Sequence, residues 1–225
     1  KILTAMLVYK EWLKLRFYVL ALLAGNTTFS LWLFLSIDAR FRNEHAEMLF
    51  YQANHIGTLF YDPLRWVPLI TGVALGAAQF LPEITRGRLR LAMHLPVGLA
   101  RLVLVHLAIG LAFLALVLAL NLGALAATIA VYFPATFVVS ALMTAAPWLL
   151  AGVAGYLGTA LVMLEPERRF QATNLAAAAA IVWLCHLSAQ YGAYDRALPG
   201  LVALVALMVP AALLPAVRYR TGGRS

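Results

Sequence analysis

The sequence that decides the fold class is the run Leu102–Leu164, LVLVHLAIGLAFLALVLALNLGALAATIAVYFPATFVVSALMTAAPWLLAGVAGYLGTALVML. These 63 residues contain no Asp, Glu, Lys or Arg. A helix needs ~20 predominantly apolar residues to cross a bilayer, so the run can hold two long membrane spans or three short ones. Pro134 predicts the turn between two spans, whereas three spans would need further turns at 121–123 and at Pro147.

The composition of the whole chain indicates the same class of protein. The 225 residues are 64% apolar and 12% charged, with a mean hydropathy of +0.87. Soluble domains average about 45–50% apolar and about 25% charged residues, so this excess is too large for a surface that faces water. We therefore predict an all-α polytopic membrane protein with a single transmembrane domain over residues 1–225. No cleavable signal peptide is expected, because no short apolar core is followed by a small-residue cleavage site.

Outward from the central run, the apolar segments predict six transmembrane helices. They lie at about 17–37, 64–81, 102–131, 136–164, 174–190 and 199–217. Residues 1–16 are too polar to span a membrane, and Tyr9 and Trp12 on their apolar side predict an amphipathic helix in the interface. The alternative is a simple extension of the first span. Residues 38–63 form a hydrophilic outer segment that is long enough for one or two small helices.

The distribution of basic residues predicts the orientation of the spans. With six spans, the N-terminus, the 82–101 loop, the 165–173 loop and the C-terminus share one side, and they hold 13 of the 17 Lys and Arg residues. Basic residues collect on the cytoplasmic side of membrane proteins, so both termini are predicted to be cytoplasmic. A seventh span within 102–164 would move the 165–173 loop to the other side of the membrane and reduce this asymmetry of basic residues. Because the basic charge is confined to thin loops and short tails, no nucleic-acid partner is predicted.

No nucleotide, cofactor or metal site is predicted within this chain. A P-loop needs Gly-x-x-x-x-Gly-Lys, and none of the three lysines, Lys1, Lys10 and Lys14, follows a glycine. His106 and His186 are predicted at different depths, which favours interhelical hydrogen bonds over a shared metal or haem. The predicted membrane interior has no Asp, Glu, Lys or Arg away from the span ends, so no catalytic residue is assigned.

The loop between the second and third spans carries a recognisable pattern. Pro82–Arg101 reads PEITRGRLRLAMHLPVGLAR, in which Glu83-x-x-Arg86-Gly87-x-Leu89 precedes Leu95-Pro96-Val97. This pattern resembles the first cytoplasmic loop of ABC-2-type transporter permeases. The Lys10-Glu11 pair also resembles the amphipathic N-terminal helix of that family. The 191–198 link is shorter than the re-entrant hairpin often found there, so the branch of the family and the substrate stay open.

The resemblance implies the membrane subunit of an ABC transporter in a prokaryotic cytoplasmic (inner) membrane, with export favoured. It implies two partners besides membrane lipids: a second permease copy or paralogue, and a separate ATPase subunit that carries ATP and Mg. The implied docking and coupling residues are Glu83, Arg86, Gly87, Arg88, Leu89, Leu91 and Pro96. We expect Glu83 in the first turn of a coupling helix, where the helix dipole favours a carboxylate. The alternative is that the arginines only anchor the loop to anionic lipid.

Two further groups of residues are candidates for packing or transport. A polar cluster in the first span predicts hydrogen bonds to neighbouring helices, with contact to a substrate pathway as the alternative. The candidates for that pathway are Asn26, Thr27 and Ser30. Small residues predict faces where helices or subunits approach closely. The candidates for helix packing and for the dimer contact are Gly72, Gly76, Ala177 and Ala180.

A different class of function competes with transport. The chain would then be a membrane-anchor or haem-carrying subunit of a redox or assembly complex. A haem-carrying subunit would need two axial histidines at matched depth, which the predicted spans do not provide.

Overall fold

The computed structural model describes residues 2–85 and 98–221, with side chains for 6–85 and 98–218, and within these ranges all the regular structure is helical. The helices are α1 (Ile2–Asn43), α2 (Ala46–Tyr51), a π-helix (Gln52–Ile56), a 3-10 helix (Asp62–Trp66), α3 (Val67–Thr85), α4 (Leu99–Tyr132), α5 (Ala135–Leu164), α6 (Arg168–Cys185), α7 (Leu198–Ala211) and α8 (Leu213–Thr221).

Five helical segments in the described part of the chain are long and apolar enough to cross a membrane. They are Met6–Asn43, Asp62–Thr85, Leu99–Tyr132, Ala135–Leu164 and Leu198–Arg218. The chain is therefore an all-helical protein with several candidate membrane spans, as its composition predicts. Helix α6 is not among the five, because its 18 residues include two arginines in the first turn and a mean apolarity below that of the others.

The uncharged central run forms two helices, α4 and α5. The break falls at Phe133 and Pro134, where Pro134 is extended (φ −59°, ψ 156°) and caps α5. Pro147 lies inside α5 without ending it. Proline is tolerated inside membrane helices where neighbouring groups satisfy the freed backbone carbonyl.

Contacts between helices give their directions. Lys14 near the start of α1 contacts Glu83 near the end of α3, whereas Asn26 further along α1 contacts Thr71 further back in α3. Helices α1 and α3 are therefore antiparallel. The remaining directions follow from the pairs Glu11–His106, Asn26–Asn121, Pro68–Gly152, Gln79–Tyr156, Leu161–Asn174 and Glu165–Arg218. The segments α1, α3, α4, α5, α6 and α7–α8 alternate in direction.

The alternation gives the bundle two distinct ends. The ionic end holds the starts of α1, α4 and α6 together with the ends of α3, α5 and α8. The aromatic end is the opposite one, where α1 meets α2 and the α4–α5 turn. Its rings lie 5.3–6.4 Å apart between centroids and belong to Phe41, Phe50, Phe60, Phe133 and Phe137.

The N-terminal part of the chain differs from the expected interfacial helix. Residues 2–43 form one continuous helix, which is the geometry of an extended first span. Leu7, Glu11 and Leu15 repeat at four-residue spacing and are all buried. One face of this segment is therefore covered by protein, because side chains four residues apart lie on the same side of a helix.

Helices α3 and α5 pack with their backbones in contact. A Cβ atom on Gly72 would lie 1.9 Å from the carbonyl oxygen of Gly152, and one on Gly76 would lie 2.9 Å from the Thr159 Cβ. Close approach of this kind is typical of small-residue faces in membrane helices. Gly72 and Gly76 therefore face another helix of the same chain.

We expect Gly72→Ala to destabilise the protein by about 1–3 kcal/mol, because the added methyl group overlaps backbone that cannot move aside. Gly25→Ala in α1 is the matched control, since a Cβ there meets nothing within 4 Å. Thermal unfolding in detergent compares the two variants. Equal midpoints for both would contradict the close α3–α5 contact.

Candidate functional site: a buried ionic cluster

Five ionisable side chains meet where α1, α3 and α4 come together at the ionic end. We call Lys10, Glu11, Lys14, Glu83 and His106 the ionic cluster. Glu11 and Glu83 are 0% and 1% exposed, so neither carboxylate has appreciable access to solvent. Acidic groups this buried are rare unless they are paired, so their partners decide what the cluster does.

Lys14 joins the two buried carboxylates. Its Nζ lies 2.8 Å from Glu11 Oε1 and 3.1 Å from Glu83 Oε1. Lys10 Nζ lies 3.1 Å from the same oxygen of Glu83. The two lysines and two glutamates balance in charge, and Lys14 cross-links the start of α1 to the end of α3.

Hydrogen bonds between uncharged side chains extend the ionic cluster towards α5. Gln79 donates from Nε2 to Glu11 Oε2 at 3.1 Å and to the His106 carbonyl oxygen at 2.8 Å. Tyr156 on α5 donates from its hydroxyl to Gln79 Oε1 at 2.7 Å. Four helices are therefore connected through one buried polar network, which fixes their relative positions at this end.

His106 packs against Glu11 of the ionic cluster. Its Nε2 lies 3.4 Å from Glu11 Oε1, and its Nδ1 lies 2.9 Å from the Leu102 carbonyl oxygen one turn earlier in α4. It thus links α4 to α1. His186 lies beside Arg65 before the start of α3, whereas His106 lies beside Gln79 near its end. The two histidines are at opposite ends of α3.

The structure corrects the expected position of Glu83. Glu83 lies in the last turn of α3 (Val67–Thr85), not in the first turn of a following helix. The C-terminus of a helix carries partial negative charge and disfavours a carboxylate, and the ammonium groups of Lys10 and Lys14 compensate for this. The other predicted docking residues lie outside the described residues; they are Arg86, Gly87, Arg88, Leu89, Leu91 and Pro96.

A third buried carboxylate at the ionic end, Glu165, holds the C-terminal helix. Glu165 Oε2 lies 2.8 Å from the Arg218 guanidinium, which also lies 4.1 Å from the centre of the Phe170 ring. Gln171 donates to the Glu165 carbonyl oxygen at 2.8 Å. Helix α8 is thereby joined to the α5–α6 turn, much as α1 is joined to α3.

The polar cluster predicted in the first span lies mostly against other helices or its own backbone. Asn26 is buried, and its amide contacts Thr71 of α3 at 3.2 Å and Asn121 of α4 at 2.8 Å. Thr27 donates to the Leu23 carbonyl oxygen of its own helix. Ser30 is half-buried. Asn26 thus serves interhelical packing in this structure.

The alanine run of α6 has one covered and one uncovered face. Ala178 is buried, and its Cβ lies against Gly158 of α5. Ala177 and Ala180, the candidates for a dimer contact, are exposed within this chain.

Comparisons with protein-family models, with curated proteins and with solved structures found no match. In the described part of the chain, no group of three or more His, Cys, Asp or Glu side chains could hold a metal ion. The ionic cluster is a charge-balanced cross-link between the start of α1 and the last turn of α3.

Proposed function

We propose that this chain is the transmembrane permease subunit of an ABC transporter. It forms the substrate pathway as a dimer and is driven by a separate ATPase subunit that docks on the 82–95 loop. The protein is then an inner-membrane protein of a prokaryote, without a nucleotide site in this chain. The resemblance of the 82–101 sequence to ABC-2-type permeases motivates the proposal.

The observation that carries the proposal is the shared ion pair of Glu83 with Lys10 and Lys14. Glu83 lies three residues before the basic stretch that begins at Arg86. Movement imposed on that stretch by a docked protein would reach α3 directly through the chain and α1 through the buried ion pair. A rigid cross-link at this point suits a permease subunit whose movement is driven by ATP hydrolysis on a partner subunit.

We further propose that α6 is a membrane span, which makes six spans with both termini in the cytoplasm. Its 18 residues extend ~27 Å, close to the ~30 Å hydrocarbon thickness. Arg168 and Arg169 are exposed in its first turn, and long basic side chains at a helix end can reach the headgroups. The alternating directions of the helices support the same topology.

Thiol labelling tests this topology. In a Cys185→Ser background, single cysteines at Arg88 and Arg168 should react with a membrane-impermeant reagent only from the cytoplasmic side. Cysteines at Glu47 and Asp195 should react only from outside. Outside labelling at position 168 would contradict the six-span arrangement.

The uncovered face of α6 is proposed as the dimer contact. Ala177→Leu or Ala180→Leu should weaken association about tenfold, because the larger side chains hold the two helices apart. Ala206→Leu, on the exposed side of α7, is the matched control. Crosslinking in membranes measures dimer formation. Equal losses for the α6 and α7 variants would place the contact elsewhere.

Purification in mild detergent tests the proposed function itself. We expect a soluble ATPase subunit to co-purify in stoichiometric amount and to hydrolyse MgATP. Recovery of partners without a nucleotide site would contradict the proposal and favour an anchoring subunit. A Soret absorption band would favour a haem-carrying subunit instead.

A further inference from the structure

An apolar groove lies on the side of the bundle, between α3 and α6. It has a volume of about 310 Å³, and α5 forms its floor. Gly155 and Gly158 lie on that floor without side chains to fill it, and Leu69 and Val73 of α3 form one wall. Leu175 of α6 lies in the opposite wall and is 59% exposed, so the groove is open to the surroundings of the bundle.

The groove offers no free polar group to a ligand in the part of the chain that the structure describes. Thr159 is the one lining residue there with a polar side chain, and its hydroxyl donates to the Gly155 carbonyl oxygen at 2.8 Å. A polar molecule would lose hydrogen bonds to water on entry and gain none in return. The groove therefore fits hydrocarbon, which in a bundle of candidate membrane spans is supplied by lipid acyl chains.

The groove runs lengthwise towards the ionic end of the bundle. Its floor extends along α5 from Gly155 to Met163, one residue before that helix ends, which is ~12 Å along the axis. Its wall on α6 extends from Val182 back to Leu175, two turns after the helix begins at Arg168. An acyl chain lies in this direction when its headgroup is at the ionic end.

Arg168 lies beyond that end of the groove, on the same side of α6. It precedes Leu175 by seven residues, and residues at this spacing share one face of a helix. The interval is ~10 Å along the axis, which the arginine side chain and the glycerol backbone of a lipid together can bridge. Arg168 is exposed, so its guanidinium is accessible to a phosphate group. Arg169 lies ~100° further round the helix, outside this face.

The charge around the start of α6 favours an anion. Glu165 is paired with Arg218, so Arg168 and Arg169 outnumber Glu167, the other carboxylate of the 165–173 segment. Glu167 precedes the helix and makes no side-chain hydrogen bond to its first turn. The N–H groups of that turn carry the positive end of the helix dipole, which also attracts phosphate.

We propose that the groove binds one acyl chain of an anionic phospholipid whose phosphate lies against Arg168. The lipid then covers the side of the bundle between α3 and α6. Ala177 and Ala180, the candidates for the dimer contact, do not line this groove. The inference shares with the proposed topology the membrane-spanning position of α6, and it does not depend on transport or on an ATPase. Thiol labelling at position 168 reports on the span, whereas lipid binding reports on the groove, so the two can fail separately.

Photocrosslinking to a lipid tests the site in nanodiscs that contain the full chain. The probe is phosphatidylglycerol with a diazirine in one acyl chain, and phosphatidylcholine with the same chain is the comparison. We expect crosslinks to concentrate on residues 155–163 and 175–182 and to be about fivefold stronger with phosphatidylglycerol, since one basic residue near anionic lipid contributes about that factor. Labelling spread evenly over the lipid-facing helices would show ordinary surrounding lipid and overturn the proposal.

Two charge variants test the role of Arg168. Arg168→Gln should lower crosslinking of the phosphatidylglycerol probe about fivefold. Arg169→Gln is the matched control, because it removes the same charge from the next residue of the same helix and should leave crosslinking unchanged. Equal losses for the two variants would indicate general attraction of anionic lipid and would overturn the assignment to Arg168.

Two further substitutions test the groove and its occupant. Ala179→Phe fills the groove and should abolish crosslinking, whereas Ala176→Phe, at an exposed position outside the lining, should not. Unchanged crosslinking of Ala179→Phe would overturn the proposal. In native membranes, a photoreactive phenylalanine in place of Leu175 should crosslink to phospholipid. A crosslink to a protein instead would show that a partner helix fills the groove, and it too would overturn the proposal.

Discussion

Lys14→Met should be among the most destabilising single substitutions in this protein, lowering the free energy of unfolding by about 3–5 kcal/mol. Lys14 is 12% exposed and lies within 3.1 Å of both Glu11 and Glu83. Removal of the Lys14 ammonium leaves two buried carboxylates close together, with less positive charge to balance them. Breaking a buried ion pair from one side has this cost because a charge is left without its partner in a medium of low polarity.

Lys10→Met is the matched control for this prediction. Lys10 contacts the same Glu83 oxygen, but its side chain is 40% exposed, so its loss should cost only about 0–1 kcal/mol. The double variant Lys14→Met/Glu83→Leu should recover much of the lost stability, since replacing a whole buried pair by apolar groups is often neutral. Thermal unfolding in detergent measures all three. If Lys14→Met and Lys10→Met unfolded alike, the ionic cluster would not be buried as described.

The long apolar helices were predictable because the signal is carried by composition alone. The uncharged run around Pro134 has room for two long helices, and α4 and α5 occupy it. Pro147 shows the limit of the rule that proline ends helices, because it lies inside α5. Pro82 shows the same limit. The sequence predicts a loop that begins at Pro82, whereas α3 continues through Pro82 to Thr85 and includes Glu83.

The ionic cluster was not predictable in the same way. Its members lie up to 96 positions apart in the sequence, from Lys10 to His106, and no local pattern indicates which distant helices meet. The amphipathic pattern of residues 1–16 predicts an interfacial helix, and this prediction does not place Glu11 inside the protein. The four-residue spacing of Glu11 between Leu7 and Leu15 was the available signal, because it places the carboxylate on an apolar face.

The alanine run of α6 illustrates a further limit. Ala177, Ala178 and Ala180 are equivalent by composition, so the sequence cannot distinguish the covered face from the open one. In the structure Ala178 packs on Gly158, and the other two are exposed. Small residues predict that a close contact exists, but only the packing identifies its partner.

Docking of an ATPase on the 82–95 loop predicts that apolar and charged residues of the loop behave differently. Leu89 and Leu91 alternate with Arg88 and Arg90. A leucine that is fully desolvated at a contact contributes about 1.5–3 kcal/mol, whereas an exposed arginine at the rim contributes about 0–1 kcal/mol. Leu91→Asp also introduces a charge that would be buried without a partner. We therefore expect Leu91→Asp to abolish binding of the ATPase and Arg88→Ala to leave it largely intact.

The alternative function of the loop predicts the opposite order. If the arginines only anchor the loop to anionic lipid, each basic residue near the surface contributes about 1 kcal/mol and the leucines matter little.

Glu83→Gln separates docking of the ATPase from transmission of its movement to the permease. It weakens the link of the buried Glu83 to Lys10 and Lys14 and leaves the docking residues from Arg86 to Pro96 unchanged, so the complex should form while transport-linked ATP hydrolysis falls.

The most direct test of the account is the amount of ATPase that co-purifies with three forms of the chain: wild type, Leu91→Asp and Arg88→Ala. All three are extracted under the same conditions, after cysteine labelling has verified their insertion. Docking of the ATPase on the loop predicts equal recovery with wild type and Arg88→Ala, and none with Leu91→Asp. A correctly inserted Leu91→Asp protein that retains its full complement of ATPase would contradict it.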